Sequence, residues 1–194
     1  MEKKKIIGTD FDGIITDTDP VFREYIKRVT GKQFYREQIT KYFYEECLPI
    51  TKDDVEKAYQ LMLKENVWSR MELVDGAKDT LMELAEKFDI VVITARPADA
   101  RRQSEEFLKR KGIPFKEIHF IKEGNNKINL IKEFPFKFEA FIEDRLDFAR
   151  GIALSGIKTY MLDYPWNRCL GETANLYRVS SWKEIRESLS AALS

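Results

Sequence analysis

Only one histidine, His119, and two cysteines, Cys47 and Cys169, occur in 194 residues. A zinc site needs more imidazole and thiolate ligands than this, and no CxxC pair is present. Two distant cysteines make no disulfide framework; they read as free thiols of a reducing compartment, which points to a cytoplasmic protein. His119 alternates with Ile118 and Phe120 in a strand-like run, so it reads as structural. A serine triad would have to pass through it and has no GxSxG to support it. No apolar run approaches the roughly 20 residues of a membrane span. The start MEKKKIIG carries too short an apolar stretch for a signal peptide. The 33 basic and 33 acidic residues cancel. The broad positive footprint of a polymeric nucleic-acid binder is therefore missing, although a local phosphate pocket is not excluded.

What is present is ordinary globular material: 43% apolar and 34% charged residues. The length suits one domain, or one domain carrying a sizeable insertion. KKIIGTDFD reads as a buried strand ending in polar residues. DPVFREYIKRVTG reads as a helix closed by Gly31. The stretch from about 33 to 70 reads as continuing helix, first REQITKYFYEECL and then TKDDVEKAYQLMLKENVW, with Thr51 and Asp54 spaced as a capping box. From residue 77 the rhythm changes. Helix 77–87 leads to the strand DIVVIT, and PADARRQSEEFLKRKG is a helix before EIHFI. The short helix NKINLIKEF precedes EAFIED, RLDFARGIALSG precedes KTYMLD, and SWKEIRESLSAAL is the last helix. Strands alternating with helices imply right-handed βαβ units, hence an α/β fold whose parallel sheet is covered on both faces. Residues 17–75 break this rhythm and read as an all-helical insertion after the first strand.

Function in such sheets gathers at the carboxyl ends of the strands. Those ends carry Asp10 and Asp12; Thr94, Ala95 and Arg96; and Glu143 and Asp144, with Lys127 opening a helix between the last two groups. Residues i and i+2 of an extended segment point the same way, so Asp10 and Asp12 can reach one site. Clustered carboxylates without histidine or thiolate make a hard-oxygen site suited to Mg²⁺. The Thr94 hydroxyl, the amides after it and the Lys127 ammonium suit a phosphate. An Asp carboxylate can attack phosphorus, and a second Asp two residues on can protonate the leaving oxygen and later deprotonate water. Arg96 either binds substrate or pairs with an acid, and Asp147 is either outer support or solvated. Asp19, before Pro20, reads as a helix cap, and Asp17 as a hinge residue. Rival motifs fail. Ile14 and Ile15 stand where a P-loop needs Lys and Ser or Thr, and an EF-hand starting at Asp10 meets Ile14, Ile15 and Val21 at required positions.

DFDGIITD, VVITARP, Lys127 and FIEDR together resemble the four motifs of the haloacid dehalogenase-like phosphohydrolases, in the right order. ITARP, IEDR and YPWN resemble more narrowly the 5'(3')-deoxyribonucleotidase branch and its bacterial nucleotidase relatives. The resemblance implies a Rossmann-like core of residues 1–16 and 76–194, with residues 17–75 as a helical cap closing over small substrates. It implies Asp10 as nucleophile and Mg²⁺ ligand, and Asp12 as general acid/base with its carbonyl on the metal. Asp144 becomes the third protein ligand, and Glu143 orients water on the metal. Thr94, Ala95, Arg96 and Lys127 then hold the phosphoryl group. The implied activity is hydrolysis of a small phosphorylated metabolite, with nucleoside monophosphates as the leading class. The alternatives are a phosphatase of sugar or other organic phosphates, and a non-catalytic phospho-ligand module. The cap aromatics, Phe22, Tyr25, Tyr42, Phe43, Tyr44 and Trp68, are either its core or a stacking surface for a base, and Trp166 has the same two readings. Ile14 stands where the family usually has Thr or Val, which touches packing rather than chemistry.

Overall fold

A computed structural model describes residues 4–121, 126–168 and 173–191. Six strands form one parallel sheet: β1 (Lys5–Thr9), β2 (Phe88–Thr94), β3 (Glu117–Phe120), β4 (Phe138–Glu143), β5 (Lys158–Leu162) and β6 (Leu176–Val179). Their spatial order is β3-β2-β1-β4-β5-β6, so β1 lies at the centre. The chain first winds outward through β2 and β3, then returns to β4 on the other side of β1. The winding direction reverses there, and a crevice opens at the carboxyl ends of β1 and β4.

Successive strand residues serve opposite faces. Ile7, Ile90, Val92, Ala140 and Ile142 join one core with helices α3 (Ala77–Ala85), α4 (Arg101–Lys111) and α7 (Trp182–Ala191). Ile6, Val91, Ile93 and Phe141 join the other, under α5 (Lys127–Glu133) and α6 (Leu146–Leu154). This alternation is why the strands read as continuous apolar runs. Gly8 lets β4 approach β1 closely, since a Cβ there would meet the Phe141 ring at 2.3 Å.

Residues 17–75 hold α1 (Thr18–Thr30) and α2 (Lys52–Lys64), which pack on each other. Phe22, Tyr25, Met62, Trp68 and Met71 join the first core. Thr51 and Asp54 form the expected capping box, and the Asp54 N–H donates to Thr51 Oγ1. The expected helix over REQITKYFYEECL is absent. Only single 3₁₀ turns occur there, at Arg36–Gln38 and Tyr44–Glu46. Ile39 and Thr40 carry β-branches that disfavour helix, and Leu48 and Ile39 are pulled singly into the core. Asp17, rather than Asp19, takes the N-cap position of α1, without a side-chain cap hydrogen bond. Asp19 lies inside the first turn and is buried, accepting hydrogen bonds from Arg23, Arg36 and Tyr44. Strand β6 was not expected: Tyr177 and Arg178 are exposed on this edge strand, so no apolar run marks it. Cys169 lies outside the described residues. No helix among the described residues is long and apolar enough to cross a membrane.

Candidate active site

Strand β1 delivers Asp10 to the crevice, and its N–H continues the ladder to the Ile142 carbonyl at 2.9 Å. The chain then turns sharply. Gly13 has φ of +73°, and the N–H groups of Ile15 and Thr16 both donate to the Phe11 carbonyl. Ile14 is fully buried, and its carbonyl accepts from the Trp182 indole, consistent with a packing role. Strand β4 brings Glu143 and Asp144 beside Asp10, and the first turn of α5 brings Lys127. Oxygens of Asp10, Glu143 and Asp144 lie within 4.8 Å of one another.

The Lys127 side chain is fully buried. Its Nζ donates to Glu143 Oε2 at 2.6 Å. It also forms an ion pair with Asp10 Oδ1 at 2.9 Å. Glu143 Oε1 accepts from the N–H groups of Asp144 and Arg145, so both Glu143 oxygens are engaged. Asp10 Oδ1 and Asp144 Oδ1 are buried with no hydrogen-bond partner. Burial, and then the Glu143 charge, push the Asp10 carboxyl up to about 7, against the opposing pull of Lys127. Burial and the charges of Glu143 and Asp10 push Asp144 well above the usual carboxylate range. Repulsion among buried acids and the orphaned Asp144 Oδ1 are what a hard divalent cation relieves. The donor set, all oxygen, fits such an ion.

Asp12 does not join this side-chain trio; its carboxylate turns the other way. Arg96 holds it bidentately, Nε to Oδ2 and Nη2 to Oδ1, both at 2.7 Å. Thr16 and Thr18 also donate to Oδ1. Burial works to raise the Asp12 carboxyl, but the Arg96 charge and these hydrogen bonds outweigh it and hold the group below its ordinary value. Arg96 is itself locked. It donates to Ser104 and Thr16, and its guanidinium lies 3.7 Å from the Phe11 ring centroid and 4.7 Å from that of Trp68. Of the two expectations for Arg96, the structure shows the pairing with an acid. Its N–H donates to Thr94 Oγ1 at 3.1 Å, at the buried end of β2, while Ala95 is exposed. Asp147 pairs with Arg145 at the surface.

The indole N–H of Trp166 donates to Asp144 Oδ2 at 3.0 Å, and the Tyr164 hydroxyl donates to the Gly13 carbonyl at 2.9 Å. Sequence reasoning missed both contacts. The YPWN segment stood out, but β5 separates it from Asp144, and no spacing rule links the two. Trp68 packs between Tyr59, stacked at 5.9 Å, and Arg96. Burial, and then the Asp144 and Asp10 charges, raise the Tyr42 hydroxyl well above its usual range, and the Arg145 guanidinium lies 4.6 Å over the Tyr42 ring.

A sequence profile of the family "5' nucleotidase, deoxy (Pyrimidine), cytosolic type C protein" matches residues 4–193. A provisionally named nucleotidase of Halalkalibacterium halodurans is 27% identical over 96% of this chain and 93% of its own length. A nucleotidase of Clostridium acetobutylicum is 26% identical over 92% of this chain and 90% of its own. A haloacid dehalogenase-like hydrolase of Streptococcus pneumoniae shares the fold, with a TM-score of 0.67 at 18% identity over 96% of this chain and 98% of its own. These matches make the chain a phosphoric monoester hydrolase with the haloacid dehalogenase-like fold, and it belongs to the cytosolic type C 5'-nucleotidase, deoxy (pyrimidine), family.

Proposed function

We propose that the chain is a Mg²⁺-dependent phosphomonoesterase of nucleoside or deoxynucleoside 5'-monophosphates, working through an aspartyl-phosphate. The observation that carries this reading is the buried trio Asp10, Glu143 and Asp144 beside Lys127, with Asp144 Oδ1 left without a hydrogen-bond partner and Asp10 Oδ1 facing the Lys127 ammonium at 2.9 Å. Asp10, Asp144 and the Asp12 carbonyl would hold Mg²⁺, with Glu143 orienting water on it. When bound, the ion would offset negative charge on the carboxylates and the phosphoryl group.

The chain's own residues account for the chemistry. A carboxylate oxygen of Asp10 attacks phosphorus, the ester P–O bond breaks, and the leaving alcohol oxygen takes a proton from Asp12. Water then attacks phosphorus, its proton goes to Asp12, and inorganic phosphate leaves as the Asp10 carboxylate is restored. Thr94, Lys127 and the amides of Ala95 and Arg96 hold the phosphoryl oxygens. Beside Arg96, Asp12 is ionised and set as the base of the second step. For the first step it must carry a proton, which requires its contact with Arg96 to loosen.

Residues 17–75 act as a cap over a core of residues 1–16 and 76–194. Asp10, Thr94, Lys127 and Asp144 are between 0% and 5% exposed, and lifting of this cap would admit substrate to them. The family description supports both a nucleotide substrate and a cytoplasmic home.

Asp10→Asn should abolish Mg²⁺-dependent hydrolysis while circular dichroism stays native. Retained turnover by that variant removes the nucleophile assignment. Comparing kcat/KM across nucleotides and sugar phosphates tests the substrate clause, and equal values remove it.

A further inference from the structure

Asp144 is held by more than its place at the end of β4. A Cβ added at Gly13 would meet its Oδ2 at 2.4 Å, so the backbone of the first turn presses against that oxygen. On its other side stands the indole N–H of Trp166, at 3.0 Å. Oδ2 thus has a glycine and a donor against it, while buried Oδ1 has no hydrogen-bond partner, and Asp144 is one of the trio of acids. We propose that Trp166 is a positioning residue: its N–H selects which oxygen of Asp144 is presented to the metal ion. The inference rests on the metal-dependent reading above.

The donor is well anchored. The Trp166 ring stacks on Tyr164 with centroids 4.3 Å apart and planes 8° apart. The Tyr164 hydroxyl is tied to the Gly13 carbonyl, and the Arg36 guanidinium lies 5.7 Å over the Tyr164 ring. Next along the chain, Asn167 is fully buried and spans two strand ends. Its Nδ2 donates to the carbonyls of Asp144 and Leu162, both at 2.7 Å, and its Oδ1 accepts from the Tyr164 N–H and from Arg178. Residues 164–167 therefore form a rigid brace that grips Asp144 by main chain and side chain together. Groups that fix a ligand's orientation in this way commonly affect metal affinity or activity by about 10–100-fold. An indole serving only as packing would have no such effect, because phenylalanine or an isosteric ring would replace it.

The test replaces Trp166 with β-(3-benzothienyl)alanine, which keeps the bicyclic shape and the stack on Tyr164 but removes the N–H. Trp166→Phe serves as a second variant. Mg²⁺ binding is read by calorimetry, and Mn²⁺ binding by electron paramagnetic resonance. Both variants should keep the wild-type melting temperature in EDTA. Both should bind the ion about 10–100-fold more weakly. Their kcat should be low at limiting Mg²⁺ and recover at saturating Mg²⁺, with the KM for substrate unchanged. Wild-type affinity in the benzothienyl variant overturns the positioning role and leaves the metal-dependent reading standing. Absence of metal binding by the wild-type protein overturns both. If Trp166→Phe fails to fold, the isosteric variant alone decides.

Discussion

Lys127→Met is the substitution with the largest calculable effect. Methionine fills much of the same volume but removes an ammonium that touches two buried carboxylates, at 2.6 Å from Glu143 and 2.9 Å from Asp10. At an effective dielectric of about 20, each contact is worth on the order of 6 kcal/mol gross. Desolvating the buried ammonium offsets several kcal/mol of that gain, and removing one partner of a buried pair costs about 3–5 kcal/mol net. Against a total stability of about 5–15 kcal/mol, this is a severe loss. The pH dependence has a definite sign. Asp10 sits above its unfolded value of 3.8, at about 7, so its contribution is fully present below 3.8 and is lost as pH rises through 7. Without the ammonium this carboxyl rises further. The variant then goes on losing stability at pH values where the wild type has finished, and the gap between them widens from about pH 6 to about pH 9. Urea denaturation in EDTA at both pH values measures the gap. Added Mg²⁺ should narrow it, because the ion supplies positive charge that the variant lacks and so stabilises its folded state by more than that of the wild type. A loss below about 1 kcal/mol at the higher pH, or a gap that narrows as pH rises, would refute the picture of a buried charge cluster.

Arg96→Met should lower kcat by up to about 10²–10⁴-fold, the range of general acid–base catalysis, since Asp12 loses its bidentate partner. Inhibition by inorganic phosphate should be unchanged; a matching loss of phosphate affinity would place the guanidinium on substrate instead. Asp19→Asn should cost about 1–3 kcal/mol at neutral pH in thermal denaturation. Burial works to raise Asp19, but hydrogen bonds from Arg23, Tyr44 and Arg36 hold it below 3.8. Its contribution is therefore present above 3.8 and lost as pH falls through the lower folded value, so the variant should show a flatter acid limb. An unchanged acid limb would show that Asp19 does not govern it.

The strand ends were legible because each is an apolar run stopped by a polar residue, and a doubly wound sheet collects such ends at one edge. Asp10, Glu143 and Asp144 meet there for that reason, and Lys127 joins them from the first turn of α5. The direction of the Asp12 side chain was not legible, because Arg96 had two chemically equal destinations, an acid or a phosphate. The segment around Tyr42 to Tyr44 looked helical because its apolar residues fall at near-helical spacing. In the structure Ile39 and Leu48 are buried singly and Tyr44 packs against the core, while Phe43 stays exposed, a pattern that sequence periodicity does not distinguish. Asp19 looked like a cap because it precedes Pro20. Its burial depends on Arg36, which reaches it from beyond the first helix. Strand β6 carries its information in backbone pairing with β5 rather than in its side chains.

The contact between Gly13 and Asp144 ties two motifs far apart in the chain into one heritable unit. The glycine is usually valued for the turn it permits, yet here it also reserves room for a carboxylate that another segment supplies. A side chain at 13 would be felt first at 144, and a bulkier acid at 144 would be felt at 13. In a double-mutant cycle these positions should therefore be strongly non-additive. Variation along this chain would then be constrained in pairs, and the two sites would drift together or not at all.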